Sequence, residues 1–253
     1  MTEHGLPRRT WVEQIMGLPI SVLCRGHHAR DACVDAAVQA LFDDLRGIDA
    51  EFSPYRPDSA VARLQRGEST LADSTDRLRE VSERVTHWSE LTGGRFDAHR
   101  PDGTWDPSGL VKGWAVESAS SRLRDVPVDW CLNAGGDVLL RCAPARSLVV
   151  GIAHPFDTGS VVASVALNAG ALATSGIGAR GAHIYDPALG TPAVGDLVSL
   201  SVTGPSLETA DVLATAAFVA GRDWPDLLDR FPGYAGFAID RFGRISVGDG
   251  WPG

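Results

Sequence analysis

Between Trp130 and Gly204 the chain carries one short apolar segment after another: "WCLNAGGDVLL", "SLVVGIA", "SVVASVAL", "NAGALATSG" and "DLVSLSVTG". Turn residues separate them. Strands that come in runs, rather than in strict alternation with helices, favour an α+β chain with mainly antiparallel sheet. The helical patterns lie before and after this block. From Asp31, the residues Val34, Val38, Leu41, Leu45 and Ile48 recur at i, i+4, i+7, i+11 and i+14, an apolar stripe that predicts a helix covering the sheet. "FSPYRPDS" ends it with two prolines. A second amphipathic helix starts near Asp73, buries Leu78, Val81, Val85 and Trp88, and stops at "TGG", residues 92–94. "SLETADVLATAAFVAG" has a Ser206 cap, small residues throughout and a closing Gly221, so it predicts a tightly packed helix. "AGFAIDRFGRISVG" reads as a final hairpin, and "IMGLPISVLCRG" as an early strand with Gly17 and Pro19 as irregularities. With no repeat or linker, the reading is one domain over residues 10–250 behind a tail of residues 1–9.

Composition excludes several functions. A net charge of −9, from 23 basic and 32 acidic residues, offers no basic face to a polyanion, so nucleic acid is not an expected partner. An acidic protein that handles phosphate needs a metal ion or helix N-termini to offset repulsion. The four cysteines form no C-x-x-C and have no histidine at ligand spacing, which argues against zinc. The opening "MTEHGLPRRTWVEQIMGLPISV" has no signal-length apolar run and no lipobox cysteine follows. No stretch approaches the ~20 apolar residues of a membrane helix, so the expected compartment is the cytoplasm.

Single motifs leave alternatives open. In "TADVLAT", Asp211 and Thr215 share one helix face, a carboxylate and a hydroxyl suited to a hard cation such as magnesium. Helix-dipole complementation by Asp211 and back-bonding by Thr215 are the plainer account of the pair. In "DPSGLVKG", Gly109 permits close backbone approach at a helix entrance, and Lys112 would meet an anion as a point charge; a turn followed by a solvated lysine is the plainer account. "NAGGD" offers backbone N–H groups or a glycine hairpin. "HIYDP" sets His183 ahead of a proline turn, as a general base or as filler. G-x-S-x-G, H-E-x-x-H and P-loop patterns are absent, and "GGRFDA" lacks the strand-to-helix setting of a dinucleotide fingerprint.

The order of motifs is more specific than any one of them. "MG", "FSPYRPDS", "GGRFDA", "DPSGLVKGWAVE", "NAGGD", "ATSG", "HIYDPALGTP" and "TADVLAT", running from Met16 to Gly221, resemble the ApbE family of FAD:protein FMN transferases. The resemblance implies a T-fold-related α+β architecture of two interlocked subdomains, with FAD in the cleft between them. It implies a magnesium-dependent reaction that splits FAD, attaches FMN by a phosphoester to a threonine or serine of an acceptor flavoprotein carrying a flavinylation motif, and releases AMP. By position, the metal site falls on Asp211, Thr215 and the backbone carbonyl of Gly109. The FAD contacts fall on Met16, Tyr55, Arg95, Phe96, Asp97, Asp106, Lys112 and Tyr185. His183 is the candidate base for the acceptor hydroxyl, and Asp186 orients its loop. The chain departs from the family in reading "FDAHRP" where "FDPTV" is common, which leaves His99 unassigned. It also has only six residues between "ATSG" and "HIYDP". That short stretch keeps an FAD pyrophosphatase yielding free FMN and AMP in view; a flavin-binding protein without turnover is a further alternative, against which the metal-ligand types at Asp211 and Thr215 argue.

Overall fold

The computed structural model describes residues 5–157, 159–177, 184–193 and 195–253. The chain opens with a hairpin of β1 (Arg8–Ile15) and β2 (Leu18–Arg25), paired in register from Arg8↔Arg25 to Ile15↔Leu18. Met16 and Gly17 form its two-residue turn, both with positive φ (56° and 70°), as the right-handed twist of a tight hairpin requires. Gly17 is therefore a turn residue between two strands and not an irregularity inside one. β1 starts at Arg8, so the paired structure begins before the boundary expected at residue 10. The strand is hard to see in the sequence because polar residues such as Arg9, Glu13 and Gln14 are interleaved along it at the sheet edge.

Three helices follow: α1 (Ala32–Phe52), the short α2 (Ala60–Gln65) and α3 (Asp76–Leu91). α1 buries the expected stripe and adds Phe42 and Phe52 to it. Truncating a fully buried member such as Leu45 to alanine costs about 2–5 kcal/mol. The Thr75 hydroxyl caps α3 by accepting from the Leu78 amide at 3.1 Å, and the chain leaves α3 through Gly93 and Gly94, both at positive φ. α4 (Ser108–Ser120) leads into the strand block: β3 (Asp129–Ala134), β4 (Asp137–Arg141), β5 (Leu148–Ala153), β6 (Val161–Leu167), β7 (Ala169–Gly176), the two-residue pair β8 (Tyr185–Asp186) and β9 (Thr191–Pro192), and β10 (Leu197–Gly204). α5 (Leu207–Ala220), α6 (Trp224–Leu228) and the hairpin β11 (Ala235–Asp240) and β12 (Ile245–Val247) complete the chain.

Eight strands make one sheet in the order β1-β2-β3-β4-β7-β10-β11-β12, and every ladder in it is antiparallel. Successive residues of a strand point to opposite faces, so the sheet serves two cores. Leu139, Ala171, Ala173, Leu200, Val202 and Ala238 join α1, α3, α4 and α5 in the larger core. Val138, Leu140, Leu172, Val198, Phe237 and Ile239 join the β5–β6 hairpin in the smaller one. The two interlocked halves take this form, a helical layer and a hairpin sharing one sheet.

α5 is the helix that places the chemistry. It is apolar on nearly every side, as a helix enclosed by sheet and helices must be. Glu117 of α4 accepts from the Ser206 hydroxyl (2.8 Å) and the Glu208 amide (2.9 Å), and the Ser206 oxygen in turn accepts from the Thr209 amide. Gly113 lets α4 and α5 touch, since a Cβ there would lie 3.0 Å from both the Asp211 Cβ and the Leu207 carbonyl oxygen. These contacts fix where Asp211 points.

Candidate active site

A cavity of about 1230 Å³ lies among the β3–β4 turn, the length of β5, the later part of β7, the entrance of α4, the middle of α5 and the loops at residues 53–55 and 95–101. Met16, Tyr55, Arg95, Phe96, Asp97, Asp106, Gly109, Lys112, Tyr185, Asp211 and Thr215 all line it. His183 and most of the short stretch before it lie outside the described residues.

The entrance of α4 is built around Asp106. Its carboxylate accepts from the Ser108 amide (3.1 Å), so Asp106 covers one of the N–H groups that the first turn leaves unpaired, and the Arg100 guanidinium lies 3.5 Å from it. Phe96 is buried against the next residue: a Cβ on Gly109 would come within 3.3 Å of its ring. Asp97 accepts from the amide of His99 (2.8 Å) and pairs with its ring Nδ1 (2.9 Å), which gives His99 a local partner. Arg100 also stacks 5.8 Å from the centre of the Tyr185 ring. Asp186 accepts from the Ala188 amide and closes the β8–β9 turn. Tyr55 is 93% exposed at the rim.

Lys112 marks the floor of the cavity. Its ammonium pairs with Asp137 at the start of β4 and with Asp211 on α5. Asp211 lines the cavity but is only 5% exposed, beneath the lysine. The Lys112 nitrogen is 3.0 Å from Asp211 Oδ1 and 2.9 Å from Oδ2, but only Oδ1 lies in a direction that receives a hydrogen bond. Oδ2 is left buried with none. Oδ2 thus has the ammonium's charge beside it but no hydrogen bond, and a buried carboxylate oxygen in that state is the group a further cation would satisfy. One turn along α5, the Thr215 hydroxyl shares a hydrogen bond with Ser175 of β7 (3.1 Å).

Among the described residues no three His, Cys, Asp or Glu side chains cluster at metal-binding distance. An ion at this site would therefore rest on one carboxylate together with hydroxyl and carbonyl oxygens. All are hard donors, and the unsatisfied Oδ2 fits a small divalent cation that keeps water or substrate oxygens as its remaining ligands. The cavity also contains Cys131, whose thiol burial pushes up to about 11, so it stays protonated at neutral pH and is no nucleophile.

Two features of the site carry no distinctive sequence signal. Asp137 reads in the sequence as a turn former after "GG", yet it is 4% exposed and holds Lys112. The run Val149–Ala153 of β5 also lines the cavity, although a five-residue apolar strand gives no sequence signal beyond core.

The ApbE family profile matches residues 16–101 and 98–237. The chain is 38% identical to the FAD:protein FMN transferase of Treponema pallidum (strain Nichols) over 310 aligned positions, covering 91% of this chain and 86% of the relative. It is 30% identical over 131 positions to the FAD:protein FMN transferase of Haemophilus influenzae, covering 47% of this chain and 38% of that one. The crystal structure of the ApbE protein of Thermotoga maritima superposes with a TM-score of 0.83 at 21% identity, over 96% of this chain and 97% of the other. The flavin transferase ApbE of Vibrio cholerae does so at 0.80 and 17%, over 97% and 98%. The fold is thus shared with solved flavin transferases, and the profile match and the Treponema relative each run through most of the sequence: the chain belongs to the ApbE family.

Proposed function

We propose that this chain is an FAD:protein FMN transferase that moves FMN from FAD onto a serine or threonine hydroxyl of an acceptor flavoprotein and releases AMP. The observation that carries the reading is the unsatisfied Asp211 oxygen beside Lys112, on the floor of a cavity lined by every described residue that the family pattern assigns to FAD. Asp211, Thr215 and the Gly109 carbonyl would hold magnesium, which when bound neutralises charge on the pyrophosphate oxygens.

The chain's own residues bind and orient. Tyr55, Arg95, Phe96 and Tyr185 embrace the flavin nucleotide from the rim and wall, and Asp106 sets the entrance of α4 against it. Lys112 offers an ammonium to phosphate oxygens. The acceptor hydroxyl attacks the FMN phosphorus, the bond to the AMP oxygen breaks, and AMP leaves with that electron pair. His183 takes the hydroxyl proton, its ordinary pKa lying close to neutral. Phosphoryl transfer depends mainly on positioning and charge neutralisation, which is the chemistry this inventory supplies.

Intact mass spectrometry of an acceptor domain incubated with the protein, FAD and magnesium tests the reading. A gain of one FMN phosphoester with matching AMP release, both lost in Asp211→Ala, is expected. AMP and free FMN without an adduct, for acceptors that a related transferase does modify, would instead identify a pyrophosphatase. No AMP with any acceptor would identify a flavin-binding protein.

A further inference from the structure

Asp137 and Asp211 share one ammonium, and they hold it differently. Asp137 is locked: Oδ1 accepts from the Thr174 amide of β7 at 2.9 Å, and Oδ2 is directed at Lys112. Asp211 has the ammonium near both oxygens and leaves one of them without a hydrogen bond. Both carboxylates are at least nine-tenths buried, and among the described residues a single ammonium serves the two, which leaves the trio with net negative charge in a poorly solvated place.

From this asymmetry we infer that Asp137 is a positioning residue: it retains the Lys112 ammonium so that a divalent cation can take Asp211. The inference rests on the proposed placement of the metal at Asp211. Lys112 and the cation compete for the same carboxylate, and like charges so close together repel strongly. Asp137 gives the ammonium a second anchor on a different element, fixed by the β7 backbone and separate from the α5 ligands. Cation binding then shifts the lysine's pairing from two carboxylates to one without stripping it of a partner. Both positive charges remain in the cavity, where they face the phosphates of the substrate. The arrangement assigns Asp137 a role that neither a glycine hairpin nor a direct metal ligand would have, because its effect on the metal passes through Lys112.

A double-mutant cycle on Mn2+ binding to the full chain, read by the electron paramagnetic resonance of free Mn2+, tests this, with thermal melts confirming that each variant is folded. Asp137→Asn leaves Lys112 only Asp211 to pair with, and weakens Mn2+ binding about tenfold; Lys112→Met removes the competitor and tightens it about tenfold. In the Lys112→Met background, Asp137→Asn costs less than about threefold, because the residue has no ammonium to hold. Equal losses in both backgrounds would overturn the inference by showing that Asp137 acts on the metal directly, and no loss in either would overturn it outright. FMN transfer by the wild-type protein is followed in parallel. Transfer without coupling in the cycle defeats the inference alone, whereas coupling without transfer defeats the functional reading alone. Absence of Mn2+ uptake by the wild-type chain defeats the metal placement and the inference with it.

Discussion

Asp129 and Asp211 are both buried carboxylates in contact with cations, and the structure treats them in opposite ways. Asp129 is completely covered, and its oxygens accept from Arg25 (3.0 and 3.2 Å), from Arg146 (2.7 to 3.2 Å) and from the Ala143 amide (2.8 Å). Burial alone would push its carboxyl up, but the bonds from Arg146, the Ala143 amide and Arg25 outweigh burial and hold it below the usual carboxylate range. Among the described residues Asp211 has one cation, Lys112, which it shares with Asp137, and one of its oxygens accepts no hydrogen bond. A carboxylate with its oxygens satisfied by arginines ties strands and loops together; one left short, facing a cavity, is poised to bind something else.

The comparison predicts that the two residues fail differently when replaced. Asp211→Ala lowers magnesium-dependent FMN transfer about a thousandfold, measured as AMP release, with little change in the melting temperature because Lys112 keeps Asp137. Asp129→Asn does the reverse: it costs about 3 kcal/mol in denaturant unfolding by removing the buried charge that Arg25 and Arg146 converge on, and spares the rate per folded molecule. The Asp129 contribution also depends on pH. Its folded-state pKa is depressed, so the stabilisation is complete above the unfolded value of about 3.9 and is lost as pH falls through the lower folded value. Urea midpoints of wild type and Asp129→Asn should therefore converge in acid; midpoints that stay apart below that window would count against the assignment.

Smaller effects come from the contacts that aim Asp211. Gly113→Ala places a methyl against the Asp211 Cβ and the Leu207 carbonyl, and costs about 1–3 kcal/mol while reducing Mn2+ affinity more than its stability loss explains. Ser206→Ala removes the α5 cap and one bond to Glu117, at about 1 kcal/mol, with transfer nearly unchanged. If Gly113→Ala left metal affinity untouched, close α4–α5 packing would not be what positions the carboxylate.

The sequence was most legible where a period is long. α1 and α3 repeat their apolar residues over several turns, and their buried faces are those expected. The late strands alternate or run apolar between turns, and the antiparallel order follows. β1 escaped because its polar residues hide a half-buried edge strand, and α2 and α6 because five or six residues do not establish a helical period. At the site, the metal and FAD residues named by the resemblance line one cavity although they come from separate stretches of chain, while His183 lies outside the described residues. What it did not supply was Asp137. A carboxylate after two glycines looks like turn chemistry until β4 brings it to Lys112, and that meeting is tertiary.

The most direct test of the account is magnesium-dependent AMP release from FAD, with acceptor present, for Asp211→Asn and Asp129→Asn at a temperature where both variants are folded. Each substitution removes one negative charge and preserves shape. The account predicts that Asp211→Asn loses the magnesium-dependent rate while Asp129→Asn retains it. Equal rates for the two variants, or loss confined to Asp129→Asn, would contradict the claim that the unsatisfied carboxylate on α5 is the one that serves the reaction.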